Sequence, residues 1–294
     1  MKLGPQCPIC ESDSSPEFYA GEHRMFRCAS CFLAFVHPLP TDEFLSDFYS
    51  RFHMGLSEGG GYELVENRMN ADFLAKIAKV KSALSNETSR ILDVGCGKGF
   101  FVKACLDSGL RADGIDLSDT ATEFAKTELG INAICGKIED VHESIAPYDA
   151  VTFWATIEHL RDPIKTLSAI RKVLKPGGLL FLDTGIGNDW LDRLLPGFVQ
   201  WYDPPQHLFV FSERSIAIAL SKTGFKVEHI DTCFERSEVR RLARILRGFI
   251  CAAALRAVAE LTRTKGDRLL GFTRFPLGNL MSIVARADGG GSHL

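Results

Sequence analysis

The sequence has no run of 18 or more apolar residues, so it contains no segment that is long and apolar enough to cross a membrane as a helix. Residues 1–7 also lack the apolar stretch that forms the centre of a secretory signal. We therefore expect a cytoplasmic protein.

An excess of charge of one sign is missing as well, because 34 basic residues stand against 37 acidic ones and the net charge is −3. This balance gives no global basic field of the kind that attracts nucleic acid. The chain has 294 residues, of which 46% are hydrophobic and 24% charged, and this composition is ordinary for a soluble globular protein. The length predicts one large domain or two.

The nine cysteines do not form a disulfide framework, because their number is odd and no secretion signal accompanies them. Two close pairs lie near the N-terminus. The others stand singly in apolar segments, where we expect them to act as small hydrophobic side chains: Cys96, Cys105, Cys135, Cys233 and Cys251.

Short apolar runs alternate with amphipathic stretches from residue 90 onward, which predicts a parallel sheet with helices on both faces. A helix over 62–84 precedes this region. The predicted strands lie near 90–94, 111–115, 131–135, 149–154, 178–183, 225–231 and 279–285, and the predicted helices near 99–108, 119–129, 162–174 and 212–223.

A glycine-rich turn follows the first of these strands. Gly95, Gly97 and Gly99 let the backbone turn sharply and approach a ligand, and the helix behind them offers free N–H groups. Asp116 ends the next strand, 21 residues after Gly95, where a carboxylate can accept hydrogen bonds from both ribose hydroxyls. The pattern predicts a nucleoside site, and the alternative is a turn without a ligand.

Two ligands suit such a site. A dinucleotide requires a small residue where this chain has Phe100, so a pyrophosphate-binding turn is disfavoured. Asp93, just before the loop, suits the cationic amino-acid end of a ligand better than a phosphate. This combination resembles motif I of the class I S-adenosylmethionine (SAM) methyltransferases.

The resemblance extends over roughly residues 63–232 and the final strand. It implies a Rossmann-like, doubly wound α/β fold whose seven-stranded sheet has an antiparallel last strand, and it implies SAM as cofactor. Arg68, like Tyr49 and Tyr62, precedes the core where related enzymes close over SAM. The residues that the resemblance assigns to SAM are Asp93, Gly95, Cys96, Gly97, Gly99, Asp116, Leu117, Ile138, Glu139, Trp154 and Arg68, with Asp140 beside them.

Some of these assignments have plain structural alternatives. Arg68 is predicted either to pair with the SAM carboxylate or to be a solvated helix residue. Trp154 is predicted either to line the methionine end or to belong to the core. Lys137 departs from the family, which often has an acid or an amide at this position.

The two cysteine pairs follow the pattern C-x2-C-x17-C-x2-C, formed by Cys7, Cys10, Cys28 and Cys31. Each pair can place two thiolates on one turn, and two such turns complete a tetrahedral site for structural zinc. The alternatives are an iron–sulfur cluster and unligated thiols. A segment this short has little core of its own, so we expect metal binding to supply much of its folding energy.

The charge of the predicted zinc ribbon argues against an RNA-binding role. Residues 1–50 contain three basic and seven acidic residues, whereas phosphate binding needs clustered positive charge. A ribbon followed by residues 35–40 (FVHPLP) resembles a subgroup of bacterial methyltransferases that act on saccharides, cell-surface polysaccharides or secondary metabolites. The resemblance therefore implies a small-molecule acceptor.

Three residues are candidates for catalysis. Glu158 and His159 follow the fourth predicted strand of the parallel region, at the edge where ligands bind in such folds. His207 lies in a segment rich in aromatic residues and proline that we expect to cover the acceptor. A histidine can take a proton from a hydroxyl at neutral pH. The alternatives are that Glu158 and His159 orient their loop, and that His207 is bonded within its own loop.

Residues 236–274 carry ten basic and three acidic side chains. Such a basic amphipathic helix can lie on an anionic membrane surface or bind a phosphorylated acceptor, and the segment 236–263 is the predicted membrane contact. The alternative, which we favour, is an insertion that packs on its own domain or on a second copy. The protein is expected to be a monomer or a homodimer.

The predicted organisation is a zinc ribbon (1–40), a helical linker or lid (41–84), a methyltransferase domain (85–287) and a flexible tail (288–294). The predicted function is methyl transfer from SAM to a small hydroxylated acceptor, such as a sugar or a nucleotide- or lipid-linked saccharide. The alternatives are a quinone-precursor O-methyltransferase, which the segment around Glu158 and His159 also resembles, and a SAM-binding scaffold without activity.

Overall fold

The computed structural model describes residues 4–20, 22–53, 66–84, 86, 88–145, 147–188, 192–193, 201–232 and 280–288. The predicted basic helix over 236–274, the tail beyond residue 288 and Tyr62 lie outside the described residues. So does the side chain of Arg68, although its backbone belongs to a helix.

Strands and helices alternate along most of the described chain. In chain order they are β1 (Ser14–Ala20), β2 (His23–Cys28), β3 (Ala34–Val36), α1 (Asp42–His53), α2 (Glu66–Ala83), β4 (Arg90–Val94), α3 (Phe100–Asp107), β5 (Arg111–Asp116), α4 (Asp119–Thr127), β6 (Ala133–Cys135), α5 (Ile138–Val141), β7 (Tyr148–Trp154), α6 (Pro163–Val173), β8 (Leu174–Gly185), β9 (Phe209–Val210), α7 (Glu213–Lys222), β10 (Phe225–Asp231) and β11 (Leu280–Ala287).

The larger sheet has seven strands in the order β10-β11-β8-β7-β4-β5-β6. Strands β4 to β8 are parallel to their neighbours, and β11 runs antiparallel to both β8 and β10. This confirms the predicted seven-stranded α/β fold with an antiparallel last strand. β8 begins at Leu174, earlier than predicted, because Leu174 pairs with Tyr148 ahead of a register shift.

Helices α4, α6 and α7 begin at residues whose side chains cap them, whereas α3 and α5 begin without a side-chain cap. Ser118 accepts a hydrogen bond from the amide of Ala121 at the start of α4, and Ser212 caps α7 in the same way. Asp162 accepts from the amide of Lys165, and Pro163 occupies the first turn of α6, where its missing N–H costs no hydrogen bond. These caps position the loops that lead into each helix.

Helix α2 lies on the larger sheet beside α3. Ile77 and Val80 are buried in one cluster with Ile91 of β4, Phe101 of α3 and Phe181 of β8. This packing brings the polar side of α2 to the carboxyl ends of the central strands. Among the described residues, no helix is long and apolar enough to cross a membrane.

A second sheet of four strands has the order β1-β2-β3-β9. Its first three strands come from the N-terminal cysteine-containing segment, and its fourth is the short strand Phe209–Val210, far along the chain. The two regions share one core, in which Cys28 and Leu33 are buried together with Phe209 and Ile216.

Candidate active site

The glycine-rich turn leaves β4 at the carboxyl edge of the larger sheet. Gly95, Gly97 and Gly99 all have positive φ angles, of 75°, 53° and 81°. A Cβ on Gly95 would lie 2.6 Å from the side chain of Thr156, and one on Gly99 would overlap Ile131. Glycine is therefore required by conformation and by space at this turn.

Asp116, at the end of β5, holds this turn. Its Oδ2 accepts a hydrogen bond from the amide of Gly97 at 2.8 Å, and its Oδ1 accepts from the amide of Ser118 at 2.9 Å. Leu117 beside it is 53% exposed, although it is a large apolar residue. A carboxylate next to an exposed apolar side chain suits a ribose next to a base.

Asp93 is buried at the end of β4, only 3% exposed. Its Oδ1 accepts a hydrogen bond from the hydroxyl of Thr152 at 2.6 Å. Burial raises the pKa of this carboxyl to about 7, against the opposing effects of Thr152 and of the positive charge of Lys76. A cation placed beside Asp93 would therefore stabilise the carboxylate form of this side chain.

Sequence reasoning missed Lys76 and Asp183. The ammonium of Lys76 lies 2.9 Å from Asp183 at the end of β8 and 4.7 Å from the ring centroid of Trp154. The indole Nε1 of Trp154 is buried and has no hydrogen-bond partner among the described residues. The position of Asp183 at the carboxyl end of a parallel strand is a signal that could have found it.

The residues after β6 take separate positions. Ile138 is buried at the start of α5, and Asp140 is exposed. The carboxylate of Glu139 accepts a hydrogen bond from the hydroxyl of Thr166 in α6. The assignments of Ile138, Glu139 and Asp140 to the cofactor stay predictions, as does that of Arg68.

The three catalytic candidates lie together. Ligand atoms of Glu158, His159 and His207 all lie within 4.8 Å of one another, and the two imidazole rings are 4.9 Å apart. Glu158 and His159 belong to a 3₁₀ turn just after β7, and His207 comes from the segment before β9. Three ligand atoms at this spacing could also bind one metal ion.

Hydrogen bonds fix the tautomers of both histidines. His159 Nδ1 donates to the carbonyl of Gln206 at 2.7 Å, and His207 Nδ1 donates to the carbonyl of Trp201 at 3.0 Å. The Nε2 atom of His207 is therefore an acceptor in the neutral ring. The hydroxyl of Tyr49 in α1 donates to the same Gln206 carbonyl at 3.1 Å.

Burial sets the charge of this cluster. It lowers the pKa of His207 to about 4, with help from His159, although Glu158 acts to raise that pKa. It raises the pKa of Glu158 to about 7, against the opposing effect of His207. The carboxyl also accepts a hydrogen bond from the hydroxyl of Thr184 at 3.0 Å. His207 is thus neutral at pH 7 and able to accept a proton.

The four N-terminal cysteines form a compact group. Cys7 and Cys31 have sulfurs 3.5 Å apart, Cys10 and Cys28 have sulfurs 3.4 Å apart, and all four sulfurs lie within 4.8 Å of one another. A tetrahedral zinc with bonds of about 2.3 Å needs sulfurs separated by roughly 3.8 Å. The amides of Ser30 and Cys31 donate to the Cys28 sulfur, which supports a thiolate there. The donor set fits structural zinc.

The carboxyl edge of the larger sheet also fits SAM. The glycine turn provides a cradle that a Cβ would fill, Asp116 bonds to the amide of Gly97 with the exposed Leu117 beside it, and the buried N–H of Trp154, which has no partner among the described residues, belongs to the ring that lies against Lys76. These groups suit the two ends of SAM, a base with ribose hydroxyls and a charged amino acid, and the assignment of each residue to the cofactor stays a prediction.

Comparison with known proteins supports this assignment. The model of the family described as "Methyltransferase domain" matches residues 65–230. A ubiquinone biosynthesis O-methyltransferase of Coxiella burnetii is 29% identical over 181 residues, which cover 55% of this chain and 77% of the relative.

Solved structures share the fold. The [4+2]-cyclase SpnF has a TM-score of 0.56 at 17% identity, covering 86% of this chain and 98% of the cyclase. A SAM-dependent methyltransferase from Archaeoglobus fulgidus has a TM-score of 0.52 at 20% identity, covering 84% of this chain and 100% of its own. Because one of these is titled a cyclase, fold similarity alone does not fix the reaction.

Proposed function

Since the chain belongs to the methyltransferase domain family and is a SAM-dependent methyltransferase, we propose that it methylates a hydroxyl oxygen of a small acceptor, a saccharide that is free or linked to a nucleotide or lipid. The observation that carries this proposal is the grouping of Glu158, His159 and His207 just after Thr156, whose side chain lies against Gly95 of the glycine turn. SAM, when bound, supplies a methyl group on a sulfonium.

The proposed role of His207 is to accept the hydroxyl proton. Its Nδ1 is committed to the Trp201 carbonyl, so Nε2 is the atom that takes the proton. Glu158, buried beside it, stabilises the imidazolium that forms, because its carboxylate attracts a positive charge on His207. Tyr49 and His159 hold the Gln206 carbonyl and so orient the segment that carries His207.

The wall of the proposed acceptor site combines flat and polar groups. The rings of Trp201 and His207 lie 6.1 Å apart, and the His159 ring adjoins them. Aromatic faces with hydrogen-bonding edges suit a sugar ring, whose two faces are apolar and whose rim carries hydroxyls. The same wall accepts a flat phenol.

A phenolic quinone precursor is therefore the second candidate acceptor. It is supported by the similarity to the Coxiella burnetii relative, a ubiquinone biosynthesis O-methyltransferase. It is also supported by the lowered pKa of His207, about 4, since a weak base removes a proton more readily from a phenol than from an alcohol.

The test is production of S-adenosylhomocysteine (SAH) from SAM with two acceptor panels, nucleotide sugars and catechols, followed by mass spectrometry of the product. A gain of one methyl on a sugar supports the first proposal, and a gain on a catechol supports the second. If neither panel reacts although SAH binds, both proposed acceptor classes are wrong.

We also propose that the four cysteines hold one structural zinc ion and that four thiolates leave it no open position. Metal analysis of the purified protein tests this, with one zinc per chain expected in the wild type and less than half of that in Cys10→Ser. The proposed contact of segment 236–263 with an anionic membrane is tested by vesicle flotation at low salt.

A further inference from the structure

Leu208 connects the cysteine ribbon to the active site. Its carbonyl accepts a hydrogen bond from the amide of Val36 in β3 at 3.0 Å, and its amide donates to the carbonyl of Glu158 at 2.8 Å. It follows His207 directly in the chain, and β9 then continues the pairing, with Phe209 opposite Phe35. The backbone that follows His207 is thus the edge strand of the four-stranded sheet β1-β2-β3-β9.

A second contact joins the ribbon to the loop that orients the imidazole. Arg27 precedes Cys28 in β2, and its guanidinium donates to Asp192 at 2.9 Å and to the hydroxyl of Tyr202 at 2.6 Å. Tyr202 is only 1% exposed. It follows Trp201, whose carbonyl fixes the His207 tautomer.

A third contact lies at the other end of the segment. The hydroxyl of Ser212 donates to the carbonyl of Cys31 at 2.6 Å, and both groups are buried. Ser212 also caps α7. The segment 201–212 is therefore attached to the ribbon near its beginning, in its middle and at its end.

We infer that metal binding at the four cysteines fixes the position of His207, so that the ribbon serves the acceptor side of the active site as a clamp. The inference rests on the proposed zinc site and on the proposed role of His207. Cys28 ends β2 and Cys31 precedes β3, so the metal closes the hairpin on which β9 pairs. Buried residues of the ribbon belong to the core that also contains Phe209 and Ile216, so loss of the metal that closes the hairpin should loosen the partner strand of β9 as well.

Hydrogen–deuterium exchange of the full-length protein, metal-loaded and stripped with a chelator, tests this inference. Amides of residues 201–212 should exchange at least about tenfold faster without metal. Those of 90–116 should be unchanged, and SAH should bind with its usual heat. Faster exchange in residues 4–36 alone, with 201–212 still protected, would overturn the inference.

A linkage experiment does not require removal of the metal first. If metal binding and the order of segment 201–212 are coupled, the two effects are reciprocal. The metal stabilises the ordered segment, and loosening the segment must therefore weaken the affinity for the metal. Ser212→Ala should bind zinc several-fold more weakly than the wild type in equilibrium competition with a coloured chelator, and Ser212→Thr should restore the affinity.

Ser215→Ala is the matched control, because it damages the same capping box and leaves the bond between Ser212 and Cys31 in place. Equal zinc affinities in Ser212→Ala and Ser215→Ala would contradict the clamp. Neither measurement uses a methyl acceptor, so failure here leaves the proposed methyl transfer standing, and failure to find an acceptor leaves the clamp standing.

Discussion

The ammonium of Lys76 and the carboxylate of Asp183 form an ion pair of 2.9 Å at the carboxyl edge of the larger sheet, with side chains 19% and 4% exposed. Burial acts to lower the pKa of Lys76, but the carboxylates of Asp183 and Asp72 outweigh it and raise that pKa. The same pair places a fixed positive charge beside Asp93 and the ring of Trp154. Helix α2 is thereby attached to the carboxyl end of β8, beside the predicted SAM site.

Lys76→Met should lower the free energy of unfolding by about 3 kcal/mol at pH 8, because it leaves a buried carboxylate without its partner. The loss should be smaller at pH 5, because burial already raises the pKa of Asp183 and that carboxyl can then take up a proton. Denaturant unfolding at both pH values measures the difference. Lys103→Met, which removes an exposed pair with Asp107, is the control and should cost less than about 1 kcal/mol. Equal losses for the two variants would contradict the assigned role.

Asp93 makes the stability of the folded protein depend on pH. Its pKa of about 7 lies above the ordinary value of 3.8, so between these values the folded protein holds a proton that the unfolded chain has lost. This group's contribution to stability therefore falls as the pH rises from about 4 to about 7. Asp93→Asn should remove that fall.

The ammonium group of SAH, placed beside Asp93, should lower this pKa and displace the proton. The affinity for SAH is then expected to rise with pH between about 5 and about 7 and to level off above. Calorimetry in two buffers of different ionisation enthalpy measures the proton released, and Asp93→Asn should release none. An affinity that is the same at both ends of this range in the wild type would show that the amino group binds elsewhere.

Two glycines with the same φ angle allow the cost of backbone strain to be measured apart from the cost of steric overlap. Gly99 and Gly109 both have φ of +81°, but a Cβ on Gly109 meets nothing within 4 Å, whereas one on Gly99 meets Ile131 and, at 3.1 Å, Ala125. Gly109→Ala should cost about 1 kcal/mol of unfolding free energy and leave SAH affinity unchanged. Gly99→Ala should cost about 2–3 kcal/mol and weaken SAH binding at least about tenfold. Matching values for the two variants would mean that the turn tolerates a side chain.

The parts of this site that the sequence predicts are those held by local spacing. The three glycines, Gly95, Gly97 and Gly99, lie within one turn, and the two cysteines of each pair also lie on one turn. Residue type and spacing are therefore enough to predict both features. The seven-stranded sheet follows from alternating strands and helices. The sequence also identifies each catalytic candidate separately. Glu158 and His159 follow the end of a predicted strand, and His207 lies in a segment that is predicted to cover the acceptor.

Contacts across the chain could not be predicted in this way. The pairing of β9 with β3 joins residues near 209 to residues near 35, and no short-range pattern marks a strand of two residues. The bond from Tyr49 to the Gln206 carbonyl joins positions 157 residues apart. Lys76 is one of several lysines on an amphipathic helix, and only the packing of Ile77 and Val80 directs it to Asp183.

His207→Ala gives the most direct test of the chemistry, once an acceptor is known. The variant should lower kcat by about 10²- to 10⁴-fold with little change in SAH affinity, because the proton acceptor is lost and the cofactor site is untouched. With a pKa of about 4, His207 in the wild type stays unprotonated at higher pH, so kcat at saturating SAM should rise only as Glu158, whose pKa is about 7, becomes the carboxylate that stabilises the imidazolium, and Glu158→Gln should remove that rise. His229→Ala, at an exposed position in β10, is the control and should match the wild type. A rate that survives in His207→Ala would assign the proton to another group.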